Sequence, residues 1–231
     1  MRTEKTIGIL LLAGTIGVLI PYTMLTMTFQ YPDILRLDTA TILTRFHEGG
    51  SSLIWTWFAF ALAGLPLLPA YILIGKKLEN QSSLMPIATT IGVTGLIVQV
   101  VGLLRWVFVV PVLANEFTNA SDAATKQAAI MSFKTVHQFG GVLLGEHLGQ
   151  LFTIIWTVLT SMSLGKSGFI PRWLSVSGII ISFIYLLAQA ELVKTVMPGM
   201  PVWSLAGFIG STLWLIWLII VGIRFIITKR A

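Results

Sequence analysis

Six long stretches of the chain are almost unbrokenly apolar, and short polar punctuation separates them. They cover residues 6–29, 52–74, 85–110, 142–164, 173–192 and 202–227. A helix that crosses the hydrocarbon layer needs ~20 mostly apolar residues, and each run meets that length. The sharpest breaks are Lys76-Lys77-Leu78-Glu79-Asn80-Gln81 and Gly165-Lys166-Ser167-Gly168. The pattern predicts six transmembrane helices. The first follows Met1-Arg2-Thr3-Glu4-Lys5, a start that a cleaved signal peptide could share. Its run is too long for a signal h-region and lacks an A-x-A site, so a retained helix is expected.

Two connections carry helical signals of their own. Asp38 stands where an N-cap would stand, and Ile42, Leu43 and Phe46 after it share one face. That spacing predicts a short helix lying at the outer membrane interface. Ser121-Asp122 likewise predicts a cap for a helix over 123–138 that leads into the fourth span. The expected fold class is all-α: a polytopic membrane bundle of six transmembrane helices with two short extracytoplasmic interfacial helices. Residues 1–231 are expected to form one integral membrane domain.

Composition agrees and narrows the chemistry. Hydrophobic residues make up 55% and charged residues 10% of the chain, with mean hydropathy +0.88. A soluble domain carries roughly a quarter charged residues, and a disordered chain needs still more. No cysteine is present, which excludes disulfides, thiolate metal sites, iron–sulfur clusters and covalently attached c-type haem. The net charge of +6 comes from Lys and Arg in short loops, where they set topology. No basic patch interleaved with exposed aromatics is visible, so nucleic acid is not an expected partner.

Nine basic residues fall on one set of alternate loops: Arg2, Lys5, Lys76, Lys77, Lys166, Arg172, Arg224, Lys229 and Arg230. Five fall on the other: Arg36, Arg45, Lys126, Lys134 and Lys194. The richer side is the cytoplasmic one, which places both termini in the cytoplasm.

Polar groups gather at one depth. Arg105 lies seven residues outward from the middle of the third span, and Glu146 seven residues outward from the middle of the fourth. At the α-helical rise both stand roughly 10 Å from the midplane on the same side. A charge inside the hydrocarbon region needs a partner, and a guanidinium suits a carboxylate. His147 follows Glu146 directly. Gln150, Thr153, Thr157 and Ser161 continue one helical face inward, which must meet other helices or water rather than lipid. Gly141, Gly145 and Gly149 form a small-residue series that permits close helix approach and, with it, a contact between copies of the chain.

The histidines supply further candidates. His47, His137 and His147 all fall on the outer side and, with Glu48, are the weak candidates for a metal site. His47-Glu48-Gly49-Gly50 and His137-Gln138-Phe139-Gly140-Gly141 echo each other and hint at an internal repeat. No H-x-x-x-H or E-x-x-H spacing exists, so a metal is not favoured. Other catalytic templates, including G-x-S-x-G, the P-loop and H-E-x-x-H, are absent. Trp55, Trp57, Trp106 and Trp203 are expected to be interfacial belt anchors, and Pro21, Pro66 and Pro69 to kink the first two helices.

Three segments carry a family resemblance: Tyr31-Pro32-Asp33-Ile34-Leu35-Arg36, Leu103-Leu104-Arg105-Trp106 running to Pro111, and Gly145-Glu146-His147-Leu148-Gly149-Gln150 before Trp156. On these residues the chain resembles the bacterial membrane proteins grouped as domain of unknown function 4386. The resemblance implies a multi-pass protein of a bacterial inner membrane and brings no activity with it.

The leading functional expectation is an outward-facing polar pocket that binds a small molecule or ion. Arg105 and Glu146 form its charged floor, and His147, Gln150 and His137 orient the ligand. Two other readings stand beside it: a metal- or haem-binding redox protein built on the three histidines, and a non-catalytic scaffold or accessory subunit. The sequence names no cofactor, and beyond the lipid bilayer it names no partner.

Overall fold

A computed structural model of the chain describes residues 2–227. Among these the structure is predominantly helical, with no strand, and the fold class is all-α. The elements are α1 (Arg2–Phe29), a 3-10 turn (Asp33–Arg36), α2 (Thr39–Ala63), α3 (Leu67–Leu78), α4 (Met85–Phe108), α5 (Val110–Asn119) and α6 (Ala123–Val136). A π-helix (His137–Leu148) follows, then α7 (Gly149–Lys166), α8 (Arg172–Leu187), α9 (Gln189–Lys194) and α10 (Ala206–Ile227). Six helical stretches are long and apolar enough to cross a membrane: Thr3–Phe29, Thr39–Leu78, Met85–Asn119, Ala123–Lys166, Arg172–Lys194 and Ala206–Ile227. This is a multi-pass membrane protein. Large apolar side chains such as Met27, Phe108, Phe183 and Phe208 are exposed along these stretches, as a lipid-covered surface allows. Lys229 and Arg230 of the topology count lie outside the described residues.

Several boundaries differ from the sequence expectation, each for a local reason. The expected helix after Asp38 exists, but it is the first part of α2 rather than a separate element. Its carboxylate caps the helix, accepting the Thr41 backbone N–H at 3.0 Å and the Thr41 hydroxyl at 2.6 Å. The chain then turns at Gly50 (φ 54°, ψ −151°), a conformation that a side chain would strain, and continues as the span. The second span is itself broken between Ala63 and Leu67, where Gly64 and Pro66 interrupt the ladder. The third span is followed by an extra helix, α5, which Pro111 opens because it has no N–H to give to the preceding turn. The helix after Asp122 was expected to run to Gln138. It ends at Val136 and passes into the π-helix.

Contacts group into two compact units. The first comprises Met1–Ile16, Gly64–Ile97 and His147–Ala231. Its core includes Leu11, Tyr71, Trp156, Leu174, Trp217 and Phe225. Tyr71 stacks on Trp156 at 3.7 Å between centroids, and the Trp217 indole donates to the Leu174 carbonyl at 2.9 Å. Lys77 and Glu4 form a half-buried ion pair at 2.6 Å.

The second unit comprises Gly17–Ala63 and Val98–Glu146 and has its own aromatic core. Trp57 and Trp106 stack nearly parallel, 4.6 Å apart at 9°. Phe46 stacks on Trp106 at 5.6 Å, and Phe29 meets Trp57 and Trp106 edge-on. Both indoles are fully buried, so the expectation that Trp57 and Trp106 are belt anchors is corrected. They sit on faces that meet other helices, whereas Trp55 and Trp203 are exposed at 68% and 52%. In the same unit α4 touches the π-helix through bare backbone. A Cβ on Gly102 would come within 2.6 Å of the Gly145 Cα and 2.8 Å of the Gly140 carbonyl oxygen.

Two outcomes test this account. Gly102→Ala forces backbone against backbone, so it should lower the melting temperature of the detergent-solubilised protein by several degrees, an overpacking cost of ~1–3 kcal/mol. Gly199→Ala, with open space around its Cβ, should leave it unchanged. At α6, hydrogen bonds from Thr125 to Asp122 hold that carboxyl below its usual value. The cap is therefore fully present above the ordinary Asp range and is lost as pH falls through the lowered pKa. Hydrogen exchange at the Thr125 amide should show protection that disappears in that acidic window, and Asp122→Ala should abolish it at neutral pH.

Candidate functional site

In the second unit, glycine contacts set the position of Arg105, which α4 carries in its last turn. A Cβ on Gly141 would collide with Arg105 Nη2 and stand 2.6 Å from Cζ and 3.0 Å from Nε, so the guanidinium rests against the glycine backbone. The π-helix that presents Gly141 is a rare conformation, and such segments concentrate at functional sites. Three of its positions, Gly140, Gly141 and Gly145, have no side chain to hold α4 away.

Arg105 is 7% exposed. Its Nη1 donates to the Gly102 carbonyl, and its Nη2 lies 3.4 Å from His137 Nδ1. A guanidinium only donates, so His137 Nδ1 presents its lone pair and the ring proton of the neutral imidazole sits on Nε2. The His137 ring is stacked on Phe133 at 5.3 Å. The Glu146 carboxylate acts electrostatically on Arg105, and the Tyr31 ring meets Trp57 edge-on at 5.0 Å. Arg105 Cζ also lies 5.2 Å from the Trp106 ring centroid. The unit thus gathers Arg105, His137, Glu146 and Tyr31. Tyr31 was not singled out as a site residue; its place in the Tyr31–Arg36 segment was the one signal that pointed to it.

His147 and Gln150 belong to the first unit and to a different network. His147 Nδ1 bonds Gln189 Oε1 at 2.8 Å, and Gln189 Nε2 donates to Gln150 Oε1 at 2.7 Å. Since Gln189 accepts with its oxygen, His147 donates from Nδ1. Gln189 is buried and is the residue that joins the two. Further along α7 the polar stripe is buried as its spacing requires. Thr153, Thr157 and Ser161 are nearly or fully inaccessible. The Thr157 hydroxyl donates to the Thr153 carbonyl at 2.7 Å and accepts from the Trp214 indole at 2.9 Å.

His47 and Glu48 are exposed on α2, and Glu48 lines a shallow recess with Ala40, Thr41, Thr44 and Arg45. Among the described residues no three His, Asp or Glu side chains are grouped so as to hold a metal ion. The glycine series faces the chain itself: Gly141 is filled by Arg105, Gly145 by Gly102, and the Gly149 carbonyl lies 3.4 Å from where a Gly95 Cβ would stand. The two histidine-glycine echoes coincide with two helix irregularities, the turn at Gly50 and the π-helix beginning at His137.

No curated protein and no solved structure matches the chain. A family model does, over residues 6–222, which include the glycine contacts, Arg105, His137 and Glu146. The chain belongs to the family described as Domain of unknown function (DUF4386).

Proposed function

We propose that this protein sits in the cytoplasmic membrane of a bacterium and binds a small molecule or ion at the Arg105 centre from the extracytoplasmic side. Both termini lie in the cytoplasm. The excess of Lys and Arg on one set of loops supports that orientation. One observation carries the binding reading. Arg105 is buried within an apolar span, yet its Nε–H has no acceptor. An arginine kept only for packing is satisfactory when its donors are filled from inside the protein. In this role Arg105 holds the polar head of the ligand, and Glu146 and His137 orient it. The centre is confined to residues of the second unit.

Native mass spectrometry of protein released from its own membrane tests the proposal. The wild type should carry a bound species, and the Arg105→Leu/Glu146→Leu variant should lack it while remaining folded. The opposing result is an empty wild type, with each single substitution lowering the melting temperature and the double substitution restoring it. A buried pair broken on one side costs ~3–5 kcal/mol, so that rescue would be easily read and would assign the pair to packing alone.

A further inference from the structure

In the first unit the last two membrane-crossing stretches are long enough to reach water at both ends. Arg172–Lys194 has 23 residues and Ala206–Ile227 has 22. At the α-helical rise each covers roughly 33 Å, against a hydrocarbon layer of ~30 Å. The connection between them, residues 195–205, therefore starts and ends at the membrane surface. A connection that lies in water is ordinarily polar. This one holds no charged residue, and Thr195 and Ser204 are its only polar side chains. Its apolar side chains are not folded back onto the helices: Val196 is 68% exposed and Leu205 64%, with Met197 and Trp203 more than half exposed. A contiguous apolar surface of this kind marks a contact with a membrane or another protein.

The backbone favours lipid. The N–H groups of Thr195, Val196 and Met197 bond the carbonyls of Leu192 and Val193, and that of Met200 bonds the Met197 carbonyl at 2.9 Å across a turn centred on Pro198-Gly199. Pro198 and Pro201 have no N–H to satisfy. Among residues 195–201 this leaves the Gly199 N–H as the one donor outside these backbone bonds, so the segment loses little by leaving bulk water. It is also continuous with lipid-covered surface, because Phe183 and Leu187 before it and Phe208 after it are exposed on the stretches it joins. We propose that residues 195–205 form a wedge that lies in the lipid leaflet, at the boundary of headgroups and acyl chains, with Val196, Met197, Trp203 and Leu205 set among the chains. In the orientation proposed above this is the outer leaflet. The partner is the acyl chain rather than an anionic headgroup, since the segment carries no cation to attract one. The amphipathic indole of Trp203 suits that boundary. The open carbonyls of the segment keep it there and out of the hydrocarbon centre, at a depth of ~5–10 Å.

The chain has no cysteine, so Gly199→Cys supplies a single attachment point, and its Cβ would stand in open space. The test uses the full-length protein in phosphatidylcholine nanodiscs with an environment-sensitive fluorophore at that position. The same label on Asn80→Cys, exposed in the polar break 76–81, is the water reference. The label at 199 should emit further to the blue, be quenched severalfold more by doxyl groups on the acyl chains, and be shielded from aqueous iodide. Adding phosphatidylglycerol should leave these readings unchanged. Met197→Asp placed beside the label should return them toward the reference, because a carboxylate resists entry among the chains. As a check without a label, brominated acyl chains should quench a larger share of tryptophan fluorescence in the wild type than in Trp203→Phe. The proposal is overturned if the label at 199 behaves like the one at 80, or if bromine quenches wild type and Trp203→Phe alike. A label shielded from iodide but not quenched by doxyl lipid also overturns it and gives the segment a protein partner. A depth that changes with phosphatidylglycerol overturns the acyl-chain assignment.

Discussion

A guanidinium inside a membrane-spanning helix has no water to turn to, and the second unit is organised around that constraint. Arg105 must be held where polar atoms reach it, so the backbone of the π-helix is brought close. Gly102 against Gly140 and Gly145 makes that approach, and Gly141 is the surface on which the guanidinium lies. Remove the glycines from this arrangement and Cβ atoms would stand where backbone and guanidinium atoms now are. His137, Glu146 and the bare positions Gly140, Gly141 and Gly145 all come from one 12-residue π-helical segment.

The aromatic core beside it serves the same end. Trp106 is the neighbour of Arg105 in sequence, and its burial between Trp57, Phe46 and Phe29 gives α4 one rotational setting. A helix whose large residue is locked in this way cannot roll its arginine toward lipid. Packing and polar placement are therefore coupled in this unit, and the indoles supply the rigidity. In the first unit the Gln150–Gln189–His147 chain and the Thr157–Trp214 bond link polar side chains carried by different helical segments.

Much of the fold was legible because its signals are local. Apolar run length marked the six stretches, and Asp38 and Asp122 marked helix starts that their carboxylates do cap. Depth places Arg105 and Glu146 at one level; the polar partners that the guanidinium meets are the Gly102 carbonyl and His137, with the Glu146 charge acting on it electrostatically. The interruptions were less legible. Gly64 and Pro66 lie inside an apolar run and read as a kink rather than a break, because hydropathy is indifferent to a missing N–H. Trp57 and Trp106 read as anchors because depth along a helix does not say which way the residue faces.

The sequence alone determined helix content, membrane crossing and the caps, since each depends on neighbours within one or two turns or on solvent preference. Only the tertiary structure decided that the residues after Val136 take the wider π-turn and that Gly141 seats a guanidinium. It alone decided that His147 pairs with Gln189. Those outcomes depend on atoms brought together from distant parts of the chain, and the period of an isolated helix carries no information about what will stand opposite it.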